Sequence, residues 1–184
     1  VCDGSSYDFV KKIENSGFNE QSEFKNFVRI KKVIEVKDGY KVARVAPFEQ
    51  TMISCEINYD HKLIGKQSIS LILTPEIYKS QICNARTFGF LKDVEKLRSM
   101  KLALGGSLEN AVVLDDTKIL NEDGLRFSDE FVRHKVLDFI GDISLSGYRM
   151  LGSFYTSHSG HSLNNMLLNK IFESKENWEL VCSN

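Results

Sequence analysis

Three chemically distinctive side chains recur at a helical step in the middle of this chain. His134, Asp138 and Asp142 fall every fourth residue, and on an α-helix that spacing puts an imidazole and two carboxylates on one face. Asp123-Gly124 reads as a turn, Ser128 or Asp129 as the N-cap, and Phe131, Leu137 and Ile140 as apolar bulk, so the helix is expected to be partly buried. Carboxylates in a partly buried stripe are costly unless they are paired or hold a metal. The segment must therefore join a core and satisfy its charges at once. A second stretch, Tyr155 to Asn165, reads as a strand end running through Ser159-Gly160 into another helix.

The rest of the chain supplies strands for these helices to cover. Phe9, Val10 and Ile13 predict a short amphipathic helix ending at Gly17. Phe24 to Val36 alternates and reads as one strand. Asp38-Gly39 turns it back into Tyr40 to Val45. Thr51 to Tyr59, Ser68 to Leu73, Lys118 to Leu120 and Arg149 to Ser157 read as further strands. Thr74-Pro75-Glu76 opens a helix over Ile77 to Cys83, with a cap and proline at N1. Lys92 to Met100 is a predicted helix, Gly105-Gly106 leads to a strand ending at Val113, and Leu163 to Phe172 forms the last long helix. Trp178 reads as a core or edge plug. Hairpins without regular βαβ alternation argue α+β: one mixed β-sheet with a layer of two helices on one face and a small βαβ-like insert over about 88–114. The 184 residues suit a single domain, 1–184.

Composition excludes several classes of function. A net charge of −1 provides no basic footprint for nucleic acid. No apolar run is long enough for a transmembrane segment. Cys2, Cys55, Cys83 and Cys182 are scattered without Cys-x-x-Cys spacing, which argues against a cysteine zinc site and for free thiols in a reducing compartment. A His-x-x-x-Asp pair one helical turn apart can bind a single zinc, although such pairs are more often surface or capping interactions.

The wording of several stretches goes further. Leu120 to Phe127, Phe131 to Lys135, Ser159-Gly160-His161 with Asn164-Asn165, Ala85 to Phe90 and Leu104 to Ser107 resemble the UDP-3-O-acyl-N-acetylglucosamine deacetylase family, the zinc hydrolases of lipid A biosynthesis in Gram-negative bacteria. The resemblance covers nearly all of this chain but only the second domain of the family. It implies a first domain elsewhere, bearing a His-rich motif with the third zinc ligand and the catalytic glutamate. It implies a cytoplasmic zinc-dependent amide hydrolase that removes the N-acetyl group of UDP-3-O-(3-hydroxyacyl)-N-acetylglucosamine. The chain by itself is expected to be inactive. Two other readings stay open: a non-catalytic nucleotide-sugar binding module, and an in-trans partner of a separate first domain.

The same resemblance assigns roles to residues. His134 and Asp138 match zinc ligands. His161 matches the catalytic histidine that carries charge near the oxyanion and protonates the leaving amine, and Asp142 matches the carboxylate that orients it. Thr87 matches a threonine facing the oxyanion. Tyr59 matches an aromatic that stacks on uracil, Lys41 a lysine facing the diphosphate, and Lys135 another lysine on the polar part of the substrate. Phe88 lies among the substrate contacts. His158 stands where many relatives carry Lys or Arg, which weakens a phosphate contact there at neutral pH. Phe90, Val94, Leu97, Leu102, Ser107 and Val113 fall in the acyl passage. Without a first domain, part of the apolar helix layer would face water, and self-association of the chain is expected.

Overall fold

The structure, a computed structural model, describes residues 2–93 and 107–182. Its elements are α1 (Tyr7–Ser16), β1 (Asn26–Ile30), β2 (Ile34–Asp38), β3 (Lys41–Ala46), β4 (Thr51–Tyr59), β5 (Gly65–Ile72), α2 (Pro75–Ile77, continuing as a π-type turn Tyr78–Ile82), β6 (Phe88–Phe90), β7 (Val112–Leu114), α3 (Glu130–Ser144), β8 (Arg149–Ser157), α4 (His161–Phe172) and β9 (Trp178–Cys182). Seven strands form one mixed sheet, and β6 and β7 pair in a small second one. The α+β reading with a two-helix layer therefore holds.

Strand β8 is the one the sheet is built on. Its first residues run parallel to β1, with Val28 opposite Met150. Its later residues pair antiparallel with β3 and parallel with β4. Gly152 sits where the partners change, and a Cβ there would lie 3.0 Å from both Ile30 Cγ1 and Val45 Cγ2. A side chain there would have to push these two neighbours aside for β1 and β3 to keep this approach to β8.

Helix α3 packs over β4 and β5, α4 over β2 and β3, and the two helices touch each other. The shared core includes Val28, Ile53, Phe139, Phe154, Leu167 and Ile171, all essentially without exposure. Phe139 and Phe154 meet edge to face with ring centres 5.5 Å apart, joining helix layer to sheet. Trp178 is buried against Phe172 at 5.0 Å, as a plug at the sheet edge.

Local readings differ from the structure in several places. The expected strand from Phe24 to Val36 is two strands, because β1 pairs with β8 and β9 while β2 forms a hairpin with β3. The expected strand from Lys118 to Leu120 is a single bridge, Leu114 to Ile119. Asp129 is the N-cap residue of α3 but makes no side-chain cap bond, since its carboxylate is taken by Arg133 Nε at 2.5 Å. Helix α1 exists but buries nothing: Phe9, Ile13 and, just beyond it, Phe18 are exposed among the described residues. The strands of the 88–114 region, β6 and β7, are parallel, with Phe88 opposite Val112. Val94, Leu97 and Leu102 lie outside the described residues.

Candidate functional site

Helix α3 carries the first part of the site. His134 is buried and its Nδ1 lies 3.2 Å from the carbonyl oxygen of Ala85. A carbonyl only accepts, so Nδ1 carries the proton and Nε2 keeps a lone pair. That Nε2 lies 3.3 Å from Asp138 Oδ1. The other Asp138 oxygen accepts from Lys135 Nζ at 2.9 Å. Burial pushes the His134 imidazole below its ordinary range, against the opposing pull of Asp138 and the Ala85 carbonyl, which favours the neutral ring.

In the neutral ring, two electron-rich atoms thus face each other across this gap. A tetrahedral zinc with N and O ligands at about 2.0–2.1 Å sets neighbouring donors roughly 3.3 Å apart. The donor pair therefore fits zinc in chemistry and in spacing. Among the described residues no group of three or more His, Cys, Asp or Glu side chains gathers for a metal, so this pair is a partial ligand set.

The second part lies one turn further along α3. Both oxygens of the buried Asp142 face His161 Nδ1, at 3.0 and 2.9 Å. Asn164 Nδ2 donates to Asp142 Oδ2 at 2.8 Å, and Ser159 Oγ donates to Asn164 Oδ1. The His161 side chain is 68% exposed. Its Nδ1–H is thus tied to a carboxylate while the rest of the ring faces outward, an arrangement able to move a proton at Nε2. Asn164 and Ser159 were visible in the sequence only as part of the motif wording; nothing in their spacing marked them as partners of Asp142.

Phe88 joins this region to the strand β4 end. Its ring lies 5.0 Å from Phe131, 5.7 Å from Tyr59 and 6.3 Å from His134, and Lys135 Nζ stands 5.6 Å over its face. Tyr59 also meets Phe90 at 6.0 Å, and Phe90 meets His61 at 5.2 Å. His61, which the sequence reading left without a role, holds the small sheet to this wall through Nε2 and the Asp115 carbonyl at 3.0 Å. Val113 of β7, opposite Gly89 of β6, and Ser107 are the other described residues of the expected acyl passage. The Val113 N–H donates to Asn121 Oδ1.

Thr87 is half-buried, its backbone N–H on the Asp3 carbonyl at 3.1 Å and its own carbonyl accepting from Val112 at 2.8 Å. Gly4, at φ +77°, lies so close that an added Cβ would stand 2.7 Å from Thr87 Cβ. Lys41 and His158 form a separate group. Lys41 begins β3 next to the Val42–Ser157 pair, and its Nζ is 3.9 Å from Asp38. His158 adopts φ +53°, held by Ser157 Oγ at 2.9 Å and packed on Tyr40 at 5.2 Å. The structure thus links Phe88 to His134, and Lys135, Tyr59 and, through Tyr59, Phe90 to Phe88, while Lys41 and His158 stand apart from that chain of contacts.

Comparison with known proteins bears on this arrangement. The family model for UDP-3-O-acyl N-acetylglycosamine deacetylase matches residues 1–173. The chain is 47% identical over 183 residues to the UDP-3-O-acyl-N-acetylglucosamine deacetylase of Histophilus somni (strain 129Pt), covering 98% of this chain and 60% of that protein. It is 49% identical over 182 residues to the deacetylase of the same name from Campylobacter jejuni subsp. jejuni serotype O:2, covering 98% of this chain and 62% of that protein. The chain thus spans about three-fifths of the length of these relatives. With a match over nearly its whole length, the chain belongs to the UDP-3-O-acyl N-acetylglycosamine deacetylase family.

Proposed function

We propose that this chain forms the second domain of a cytoplasmic zinc-dependent deacetylase acting on UDP-3-O-acyl-N-acetylglucosamine. The observation that carries the reading is the bare Nε2 of buried His134 held 3.3 Å from Asp138 Oδ1. These two atoms would hold the zinc, with a third ligand from the remainder of the whole protein. When bound, the metal polarises the acetyl carbonyl and activates water. His161 gives a proton from Nε2 to the leaving amine and offers positive charge to the oxyanion, and Asp142 keeps the ring in that orientation. Thr87 turns its hydroxyl to the same oxyanion. The general base that takes the proton of the attacking water belongs to the remainder of the protein. Tyr59 stacks on the uracil and Lys41 meets the diphosphate, with His158 a weaker contact beside it at neutral pH. Lys135 and Phe88 line the sugar between them. Phe90, Ser107 and Val113 line the acyl passage.

The test is acetate release from UDP-3-O-acyl-N-acetylglucosamine by the whole protein and by His161→Ala. The expected outcome is a rate reduced about 10²–10⁴-fold with zinc content unchanged, the range for loss of a general acid. An unchanged rate removes His161 from the reaction. The competing reading, a nucleotide-sugar binding module, would instead give UDP binding without any acetate release.

A further inference from the structure

A second ionic cluster lies beneath the site. Glu130, the first residue of α3, is fully buried and Arg86 almost so. Glu130 Oε1 accepts from the backbone N–H and the Nε of Arg86, at 2.9 Å each. Glu130 Oε2 accepts from the Arg126 N–H at 2.7 Å and from Arg86 Nη2 at 3.2 Å. The rest of the guanidinium fork is also used: Nη1 donates to Asp123 Oδ2 at 2.8 Å and Nη2 to the Gly124 carbonyl at 2.6 Å. A lysine could reach one of these acceptors but not all three.

The neighbours of Arg86 in the chain turn this cluster into more than a buried ion pair. Ala85 supplies the carbonyl that accepts the hydrogen bond of His134 Nδ1–H. Thr87 is the residue whose hydroxyl the proposed reaction aims at the oxyanion. Glu130 precedes His134 by four residues, one turn of the same helix. We propose that the Arg86–Glu130 pair is a positioning device: it sets residues 85–87 in register with α3, fixing His134 as the Nδ1–H tautomer with Nε2 free, and holding Thr87 beside it. The Thr87 half of this inference rests on the deacetylase reading; the tautomer half does not. Buried ion pairs add little net stability over apolar replacements of the same shape. Here, however, the hydrogen bonds converge on the segment that carries both the Ala85 carbonyl facing His134 Nδ1 and Thr87.

Two variants separate positioning from folding. Glu130→Gln keeps the volume but points an amide donor at N–H groups. Arg86→Lys keeps the charge but loses the fork. In the 184-residue chain, long-range ¹H–¹⁵N correlations report the His134 tautomer, and Co²⁺ titration reports the metal-binding pair, with circular dichroism to confirm folding. Wild type should show His134 protonated at Nδ1 alone, and each folded variant a mixture of tautomers with Co²⁺ affinity lowered about 10–100-fold, as for other groups that orient a metal-binding histidine. In the whole protein the same variants should lower kcat with KM little changed. A folded variant that keeps the single tautomer and wild-type Co²⁺ affinity overturns the proposal. So does a wild-type chain already protonated at Nε2, which needs no variant to fold. Neither spectroscopic readout depends on turnover, so a whole protein that releases no acetate would count against the deacetylase reading alone.

Discussion

Asn164 holds one oxygen of a buried carboxylate, and its removal gives a direct measure of the Asp142–His161 arrangement. Asn164→Ala leaves Asp142 Oδ2 without its 2.8 Å donor. The expected loss is about 1.5–3 kcal/mol, the range for a hydrogen bond to a charged group, read by urea unfolding of the chain; a change below about 0.5 kcal/mol would mean that Asp142 is otherwise satisfied. His134 gives a pH signature. Its folded value lies below the ordinary 6.5, chiefly through burial. The unfolded chain then binds the proton more readily, so the contribution of neutral His134 to stability is complete above pH 6.5 and declines as pH falls below it. Thermal melts in chelator between pH 8 and 5 should show wild type losing stability faster than His134→Gln; parallel curves would contradict the assignment. The His134–Asp138 pair was legible in the sequence because helical spacing alone brings those residues together. Asn164 with Asp142, and Arg86 with Glu130, were not. Pairs between distant polar residues leave no periodic trace, and only the folded chain shows which hydroxyl or amide meets which carboxylate.

Among the elements, β8 sets the geometry on which both helices rest. Its residues alternate between buried and half-exposed from Met150 to Ser157, and the strand has the expected bounds. The break between β1 and β2 was not read, because Val28, Ile30, Ile34 and Val36 keep one parity across it, and only Lys31-Lys32 marks the point where the pairing partner changes. Gly152 marks the corresponding change on β8. Gly152→Ala should cost about 1–3 kcal/mol through overpacking against Ile30 and Val45, measured by denaturant melts. A neutral substitution would show that the two side chains yield freely. The turn and cap chemistry was read more closely: Thr74 does accept from Ile77 N–H, and Pro75 does open the helix. The helix then continues as a π-type turn, which no propensity argument anticipates.

At the scale of the molecule, the fold class followed from hairpins and two amphipathic helices, and exposed apolar surface on the helix layer was expected, whereas the exposed face of α1 was not. The outer face of the α3–α4 layer leaves Leu145 and Met166 exposed, and α1 adds Phe9, Ile13 and Phe18. The chain alone is predicted to self-associate, and light scattering over a concentration series should show a rising mean mass. Phe9→Glu with Ile13→Glu should restore a monomer, and a wild-type chain that stays monomeric at high concentration would contradict this. The central claim, that His134 and Asp138 form part of the zinc site of a deacetylase, meets its most direct test in the whole protein. Zinc content and acetate release from UDP-3-O-acyl-N-acetylglucosamine should be measured together for wild type, His134→Ala and Asp138→Ala. The account predicts that wild type holds zinc and turns over, loses activity to a chelator and regains it with zinc, and that both variants lose metal and rate together. Full zinc occupancy with wild-type acetate release in either variant would contradict it.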